Sequence, residues 1–279
     1  MAAKDGDGWT VCERGHRHWG LYGAAGLLAV HHDDRGAPHV LMQKRSWWSH
    51  HGGTWGLPGG AKDSHEGAVA TALREAWEEA ALVPDGLRVQ GVYTDDHGGW
   101  AFETVICEAD ALLPAAPANG ESAELRWLSL AEIDRKNLHP GFAESWGEVR
   151  RELSPGTLVL DIANIVGARA ERGWWNDRLG AATRLLGEVA GRGFDHPVLS
   201  EWFPRVVAVV EGQARGALAP DPVEVVDAEH SGDDAIVDVV RHARPWENVT
   251  VVTADRGLKE RIAALGATTT GPRWLLAQL

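Results

Sequence analysis

Residues 74 to 79, REAWEE, place one guanidinium group and three carboxylates in less than two helical turns. In an α-helix, Glu75, Glu78 and Glu79 would project from one face. Like charges at this spacing repel, so the simplest interpretation is a helix face that is open to water. If that face lies over a cleft, the same carboxylates can instead share hard divalent cations, which prefer oxygen ligands.

The helix that carries these residues needs a beginning and an end. Asp63 is placed to cap it, with Glu66 three residues later in the position of a capping box. Pro84 disfavours helical geometry in the residue before it, so we expect the helix to end upstream of this proline. The turn at 58–60, PGG, lets the backbone approach a ligand closely, and Arg74 can brace a neighbouring carboxylate.

Composition limits the partners and the compartment. Forty Asp and Glu against 27 Lys and Arg give a formal charge of −13, which disfavours unspecific binding to nucleic acid or anionic lipid. Cys12 and Cys107 are the two cysteines, so no disulfide framework is predicted and a reducing compartment is expected. The longest apolar stretch, roughly 20–30, is far short of the ~20 residues that span a bilayer. We therefore expect a cytoplasmic protein without membrane contact.

A second group of metal-capable residues lies near the N-terminus. Cys12, His16 and His18 are spaced closely enough to share an ion. Zinc sites usually have four protein ligands, and the sequence around these three supplies no matching fourth. The spacing alone leaves open whether they bind a metal.

The two halves of the chain have different patterns. Up to about residue 153, apolar runs such as AAGLLAV and HVLMQKR flank turns and predict a hairpin and further strands around few helices. Beyond 156, Val-rich runs such as TLVLD, RVVAVV and NVTVV alternate with helical segments, which is typical of a parallel sheet between helix layers. We predict two domains, 1–153 with α+β character and 156–279 with α/β character.

Acidic residues follow the predicted strands of the second half. Because parallel strands present their carboxyl ends at one edge, the acids at these ends should converge there. Such a set could bind one or two cations and activate water for phosphodiester cleavage. Helix capping is the alternative explanation for three acids, Asp177, Asp233 and Asp255, but it would not explain Asp161 or Asp227. The acids that end predicted strands are Asp161, Glu211, Asp227 and Asp255; Asp233 and Asp234 open a predicted helix, and Asn164 follows Asp161 by three residues.

The stretch from Gly60 to Leu82 resembles the Nudix box of the Nudix hydrolases. It reads as glycine, five residues, Glu66, seven residues, then Arg74-Glu75, an apolar residue, any residue, and Glu78-Glu79. The resemblance extends over roughly 20–150 through GTWGLPGGA, DDHGG, RWLSLAEI and LHPGF. One position departs from the pattern, because Ala81 stands where the family has glycine. We expect this change to affect the helix exit by about 1 kcal/mol rather than the ligands.

The resemblance implies a fold, a reaction and a set of roles. The fold is a mixed sheet in an α/β/α sandwich, and the reaction is hydrolysis of a nucleoside diphosphate linked to another group. Glu75, Glu78 and Glu79 would hold Mg²⁺ or Mn²⁺, which neutralises pyrophosphate charge. Arg74 would orient Glu75, and Glu66 would support the metal site. The general base is left open by the family pattern, and Glu121 and Glu124 are candidates in a predicted loop.

The substrate is less defined than the reaction. Gly59, Gly60, Trp100 and Phe102 are candidate binding residues, and Trp47, Trp48 and Trp55 flank the glycine turn. Aromatic side chains stack on bases, although aromatics at strand spacing are more often part of a core. ADP-ribose, an oxidised nucleoside triphosphate, a dinucleotide and a capped RNA end all stay open.

The second half resembles PIN-like nuclease domains over roughly 157–279, with DIAN after the first strand, GDD at a helix start and TADRGLKER at the last strand. This resemblance implies a parallel α/β/α fold that binds or cleaves RNA. It also implies that the metal residues are Asp161, Asp233 or Asp234, and Asp255, with Asn164 in support. The alternative for the whole chain is a sensor, in which a non-catalytic Nudix module binds a nucleotide and regulates the C-terminal domain. The intact carboxylate cluster favours the enzyme. Like charges at this spacing destabilise the helix, and in a sensor they would have no role that offsets this cost. A homodimer is compatible with the Nudix resemblance, but no segment marks an interface.

Overall fold

The computed structural model describes residues 4–169 and 174–279. In chain order, the elements up to Leu153 are β1 (Trp9–Val11), β2 (Arg17–Trp19), β3 (Ala24–His32), β4 (Pro38–Arg45), β5 (Trp55–Gly56), β6 (Gly59–Ala61), α1 (Ala68–Ala80), β7 (Leu87–Asp96), β8 (Ala101–Ala109), β9 (Ser122–Ser129), α2 (Leu130–Ile133) and α3 (Pro140–Val149). The later elements are β10 (Gly156–Asp161), α4 (Ile162–Arg169), α5 (Arg178–Val189), β11 (Glu201–Trp202), β12 (Arg205–Val210), β13 (Glu224–Asp227), α6 (Gly232–His242), β14 (Asn248–Val252), α7 (Arg256–Ala263), β15 (Thr268–Thr270) and α8 (Pro272–Leu276). Two short 3₁₀ turns lie at Trp174–Asn176 and Gly212–Ala214.

In this described part of the chain, no helix combines the length and apolar character needed to cross a membrane.

The chain divides into two compact units. The first contains the residues up to Leu153 together with His196–Trp202, and the second contains Ser154–Asp195 and Phe203–Leu279. The later segment of the first unit contributes β11, which pairs antiparallel with β7. The sequence pattern did not predict that β11 belongs to the first unit, because a strand of two residues shows no periodicity.

A mixed sheet forms the centre of the first unit. Its strands lie in the order β11-β7-β8-β3-β4-β5, with β6 paired to β3 and β9 paired to β4. β3 runs parallel to β8 and antiparallel to β4, so the hairpin expected from AAGLLAV and HVLMQKR is present. One core packs α2 and α3 against the strands through Leu28, Val30, Val40, Met42, Ile133, Phe142, Trp146 and Val149. α1 packs against β3, β6 and β8.

Helix α1 begins later than the sequence predicts. Its N-cap is Gly67, which makes no side-chain capping bond, so the prediction of a cap at Asp63 is wrong. The Asp63 side chain instead accepts hydrogen bonds from the backbone N–H groups of Asp5 and Gly6, at 2.9 and 2.8 Å. The Asp63 side chain therefore bonds to the N-terminal segment and does not cap the helix as the local pattern predicted.

The end of α1 agrees with the expectation that the helix stops before Pro84. Ala81 is the C-cap and adopts the left-handed conformation, with φ of 48°. The backbone N–H groups of Ala81 and Leu82 close the helix onto carbonyls of Trp77 and Ala76, at 3.1 and 3.2 Å. The alanine therefore does not shift the exit but takes a backbone conformation that favours glycine.

A fully parallel sheet forms the second unit. The strand order is β13-β12-β10-β14-β15, and all four pairings are parallel. The Val-rich strands that the sequence predicted are β10, β12, β13 and β14. Helices α4 and α5 lie between β10 and β12, and α6 lies between β13 and β14, whereas a 3₁₀ turn lies between β12 and β13. The α/β class expected for this half is therefore present, and the sheet brings the ends of β10, β12 and β14 to one edge.

Candidate active site

A cavity of about 630 Å³ lies in the first unit. Its walls come from the hairpin β1–β2, the loop after β4, the turn before β6, helix α1 and the segment around β8. The lining side chains include Lys4, Trp9, Arg17, Trp19, Arg45, Trp48, Glu75, Glu78, Glu79, Asp95, Trp100, Phe102, Glu121 and His139. Acidic, basic and aromatic groups therefore face one space.

Arg74 is the centre of an ion-pair network on α1. Its Nε and Nη2 atoms donate to the two carboxylate oxygens of Glu66 at 2.9 and 2.8 Å, and Nη1 donates to Oε1 of Glu75 at 2.6 Å. A further bond, from Nη2 to the carbonyl of Ala61, measures 3.0 Å. The guanidinium beside Glu66 lowers the pKa of that carboxyl to about 2. Glu66 thus stays ionised and fixes Arg74, which in turn fixes Glu75.

Glu79 is the most buried of the three helix carboxylates, with 3% of its surface exposed. Its Oε2 accepts a 2.9 Å hydrogen bond from the backbone N–H of Gly59. Burial, reinforced by the charges of Glu75 and Glu121, raises the pKa of Glu79 to about 7. Burial likewise raises the pKa of Glu75, against the lowering effect of Arg74. Burial therefore disfavours the ionised forms of both Glu75 and Glu79.

The other predicted acids separate into two groups. Glu78 lines the cavity, where its Oε2 pairs with Lys4 Nζ at 2.9 Å and lies 3.6 Å from Arg74 Nη1. Glu121 also lines the cavity, in the turn before β9. Glu124 is not a loop residue as expected, because it lies in β9 and its carboxylate pairs with Arg126 at 3.8 Å. Of the two proposed general bases, the structure brings Glu121 to the cavity.

The glycine turn shapes the acidic wall. A Cβ atom on Gly60 would lie 2.6 Å from the carboxylate carbon of Glu75, and one on Gly59 would lie 2.5 Å from the carbonyl oxygen of Ala25. Gly59 is therefore required by the pairing of β6 with β3, and Gly60 leaves room for the Glu75 carboxylate. Both glycines line the cavity, and their role in substrate binding stays a prediction.

The aromatic residues singled out from the sequence have different surroundings. Trp100 and Phe102 line the cavity, and Trp100 is also buried in a small cluster with Cys12 and Ala24. Trp48 lines the cavity and is 57% exposed, whereas Trp47 is 86% exposed and Trp55 is buried in the main core. The core interpretation is therefore correct for Trp55, and a binding role for Trp48, Trp100 and Phe102 stays a prediction.

Two tryptophans on the cavity wall were missed from the sequence. Trp9 and Trp19 face each other across the hairpin β1–β2, with ring centroids 5.5 Å apart in an edge-on arrangement. Both are nearly half exposed and line the cavity. Their strands are three residues long, too short for a recognisable alternation, but two tryptophans beside a histidine-rich turn were a usable signal.

The acidic wall fits a divalent cation. Three carboxylates converge on one side of a cavity, and the fixed cation nearest to them, Arg74, is already engaged by Glu66 and Glu75. Burial is the main cause of the raised pKa of Glu79, and a cation beside this carboxylate would favour its ionised form. Carboxylate oxygens are the donors that Mg²⁺ and Mn²⁺ prefer.

The predicted metal residues of the second unit also converge in part. The Asp161 carboxylate accepts from the Thr253 hydroxyl at 2.7 Å and from the Asn164 N–H at 3.0 Å. The second bond is a capping bond at the start of α4, so the expectation that capping would not explain Asp161 is wrong. Burial raises the pKa of Asp161, and the charges of Asp233 and Glu211 add to the effect. Burial also raises the pKa of Asp233, with a contribution from the charge of Asp255.

The remaining polar groups at this edge have structural partners. The amide oxygen of Asn164 accepts from the Ala254 N–H at 3.0 Å, and Asp234 pairs with Arg261 at 2.6 Å. Asp255 caps α7, as the capping alternative expected, and Asp177 caps α5. The cap of α6 is Ser231 and not Asp233, so capping does not explain Asp233.

Comparison with known proteins identifies the first unit. The NUDIX domain model matches residues 23–146. A Mycobacterium tuberculosis protein with the provisional name 8-oxo-dGTP diphosphatase 3 is 48% identical over 162 residues, which cover 56% of this chain and 73% of that protein. The chain belongs to the Nudix family. It is a Nudix hydrolase, and Nudix enzymes generally depend on divalent metal ions.

Two further Nudix proteins are similar to this chain. The crystal structure of the Nudix hydrolase RenU from Mycobacterium smegmatis is 45% identical with a TM-score of 0.50, covering 53% of this chain and 94% of that one. A Bifidobacterium longum nucleoside triphosphate pyrophosphatase/Nudix hydrolase fusion protein is 40% identical over 145 residues, covering 50% of this chain and 30% of that one. The match to the family model ends at residue 146, so it assigns no family to the second unit.

Proposed function

We propose that the first unit hydrolyses the pyrophosphate bond of a nucleoside diphosphate linked to another group, using Mg²⁺ or Mn²⁺ held by Glu75, Glu78 and Glu79. The observation that carries the proposal is the convergence of these three carboxylates on one cavity wall. When bound, the cation supplies positive charge that neutralises the pyrophosphate oxygens.

Residues of the chain itself hold this arrangement in place. Glu66 fixes Arg74, Arg74 holds Glu75, and the N–H of Gly59 holds Glu79. Glu121 is our candidate general base, because it lines the same cavity and its carboxylate can accept a proton from the attacking water. Arg17 and Arg45 also line the cavity and can offer positive charge to the phosphates.

An oxidised purine nucleoside triphosphate is the substrate that we favour. Such a molecule is a nucleoside diphosphate linked to phosphate, and the name of the Mycobacterium tuberculosis relative refers to 8-oxo-dGTP. The cavity offers Trp9, Trp19 and Trp48 as stacking surfaces for a purine. ADP-ribose, dinucleotides and capped RNA are the alternatives that an experiment must exclude.

A substrate panel tests this choice. Initial rates with Mg²⁺ should be measured for 8-oxo-dGTP, dGTP, ADP-ribose, a diadenosine polyphosphate and a capped oligoribonucleotide. We expect the highest kcat/KM for 8-oxo-dGTP, with nucleoside monophosphate and pyrophosphate as products. A higher value for ADP-ribose or the dinucleotide would contradict the substrate assignment. Tight nucleotide binding without turnover of any compound would instead support the sensor alternative.

For the second unit, we propose metal-dependent binding or cleavage of RNA by a PIN-like site. Asp161, Asp233, Asp255 and Glu211 supply charges that act on one another at the carboxyl edge of a parallel sheet, which supports the proposal. Asp161 and Asp233 would hold Mg²⁺ or Mn²⁺, with Asn164 positioning Asp161 through its N–H.

The second proposal has its own test. An uncapped, internally labelled RNA should be incubated with the full chain and Mn²⁺, because the Nudix reaction does not cut internal phosphodiesters. We expect cleavage that is lost in Asp161→Asn and kept in Asp238→Asn, an exposed aspartate on α6. No cleavage with retained Mn²⁺-dependent RNA binding would favour a binding role, and neither activity would contradict the proposal.

A further inference from the structure

Four metal-capable side chains meet beside the substrate cavity, outside the acidic wall. Cys12 follows β1, His16 lies in the hairpin turn, His18 lies in β2, and His97 comes from the loop between β7 and β8. Each offers one ligand atom, and the four atoms all lie within 4.8 Å of one another. The fold therefore supplies the fourth residue that the sequence spacing lacked, from a position 79 residues beyond His18.

Two of these imidazoles present unpaired nitrogens. His18 Nε2 and His97 Nδ1 are buried and have no hydrogen-bond partner among residues 4–169 and 174–279. His97 is 9% exposed, and a buried polar nitrogen without a partner carries a desolvation cost. A cation between the rings would remove this cost at both atoms.

The second nitrogen of His97 has a carboxylate partner. Its Nε2 lies 3.2 Å from Oδ2 of Asp95. This contact favours a proton on Nε2, which leaves the buried, unpartnered Nδ1 as the lone-pair donor. Carboxylate–histidine pairs of this kind orient the imidazoles that ligate zinc and raise their basicity.

We infer that Cys12, His16, His18 and His97 form a structural zinc site. One thiolate and three imidazoles are a donor set that suits Zn²⁺ and does not suit Mg²⁺. Tetrahedral zinc places its ligand atoms about 3.3 to 3.8 Å apart, so small side-chain movements within the present cluster are sufficient. The four protein ligands fill the coordination sphere and leave no position for substrate.

The site would hold one wall of the substrate cavity. The hairpin β1–β2 has three residues in each strand, and an isolated hairpin of this size is only marginally stable. The zinc would tie it to the loop at 97–100, where the His18 ring stacks on Trp100 with centroids 3.9 Å apart. Trp9 and Trp19 project from the same hairpin into the cavity, so the ion would position the stacking surface and take no part in hydrolysis.

Cobalt substitution tests the ligand set directly. The full chain, stripped of metal, should be titrated with Co²⁺ and then with Zn²⁺ against a chromophoric chelator. We expect one equivalent of Co²⁺ to produce tetrahedral d–d bands and a thiolate-to-cobalt charge-transfer band. Cys107 is fully buried and its pKa is raised to about 12, so it does not compete as a thiolate. The charge-transfer band therefore reports on Cys12.

Variants distinguish a specific loss of zinc binding from a general effect on folding. Cys12→Ser should lose the charge-transfer band, and His16→Asn, a change at an exposed residue, should weaken Zn²⁺ binding by more than about 100-fold. Asp95→Asn should weaken it by about 10- to 100-fold, whereas His230→Asn, an exposed histidine of the second unit, should leave it unchanged. Loss of zinc should raise KM for nucleotide more than it lowers kcat.

Two results would overturn the inference. One is the absence of a thiolate-to-cobalt band in the wild-type chain at one equivalent of Co²⁺. The other is equal zinc affinity in wild type and His16→Asn, which would place the bound zinc elsewhere, for example at the carboxylates of α1.

Discussion

The backbone N–H of Gly59 donates a 2.9 Å hydrogen bond to the carboxylate of Glu79, twenty residues further along the chain. This bond joins the glycine turn to helix α1 and fixes the most buried acid of the site. Beside it, Gly60 leaves the space that the Glu75 carboxylate occupies. The two glycines thus place two neighbouring carboxylates, and the first prediction depends on this placement.

Gly60→Ala should impair hydrolysis without unfolding the protein. The added Cβ would lie 2.6 Å from the carboxylate carbon of Glu75, so the acid must move away from its bond with Arg74. We expect kcat to fall by about 100-fold, because small displacements of catalytic groups cost this much. Gly147→Ala is the matched control, since a Cβ there has open space. Equal activity of Gly60→Ala and Gly147→Ala would show that the position of Glu75 is not critical.

Ala81→Gly should stabilise the protein. Ala81 ends α1 with a φ of 48°, a conformation that costs alanine about 1 kcal/mol relative to glycine. We expect the free energy of unfolding to rise by about 1 kcal/mol in urea titrations, with unchanged kcat. Ala264→Gly serves as the control, because that C-cap residue has a right-handed φ of −65°. A decrease in stability for Ala81→Gly would contradict the strain argument.

His139 should make stability depend on pH in the acid range. Burial, together with the charges of His51, Arg45 and His50, lowers the pKa of His139 to about 4. An unfolded histidine has a pKa of about 6.5. Between pH 4 and pH 6.5 the unfolded state binds more protons than the folded state. The free energy of unfolding therefore keeps its full value above pH 6.5 and decreases as the pH falls toward 4.

The measurement compares urea unfolding of wild type and His139→Gln at pH 7 and pH 5. The loss of stability between the two pH values should be smaller in His139→Gln, while His230→Gln, at an exposed position, should behave as wild type. An unchanged loss in His139→Gln would mean that this imidazole does not titrate in the acid range.

Trp48→Ala should weaken substrate binding. Trp48 lines the cavity and is more than half exposed, which leaves its ring free to stack on a base. Stacking of one base is worth about 1–3 kcal/mol, so KM should rise by about tenfold with little change in kcat. Trp77→Ala is the control, because this tryptophan lies on α1, is 60% exposed and is not part of the cavity wall. The same change in KM for both variants would rule out a specific stacking role.

Local patterns in the sequence were sufficient to predict helix α1 and the face that carries its carboxylates. The spacing of Glu75, Glu78 and Glu79 follows from helical geometry within two turns, so it could be predicted without the fold. The Val-rich strands of the second unit were equally clear, because burial on both faces leaves a continuous apolar run. Patterns of apolar and polar residues could not locate β11 or the hairpin β1–β2, because these strands have only two or three residues.

Long-range contacts decided the remaining positions. His97 joins Cys12, His16 and His18 because β7 and β8 carry its loop to the N-terminal hairpin, and no spacing rule links residues so far apart. Asp63 had a good local reason to cap α1, but it binds the backbone of the N-terminal segment instead. Glu124 lies in β9 and not in a loop, since β9 already starts at Ser122.

The central claim is that the carboxylates of α1 hold the divalent cation that nucleotide hydrolysis requires. The most direct test is a Mg²⁺ titration of the hydrolysis rate in wild type and Glu79→Gln, with the fold of both checked by thermal unfolding. Glutamine keeps the shape of the side chain and removes its charge. We predict a loss of at least about 100-fold in kcat at saturating Mg²⁺, with an intact fold. Equal rates and equal Mg²⁺ dependence in the two proteins would contradict the account.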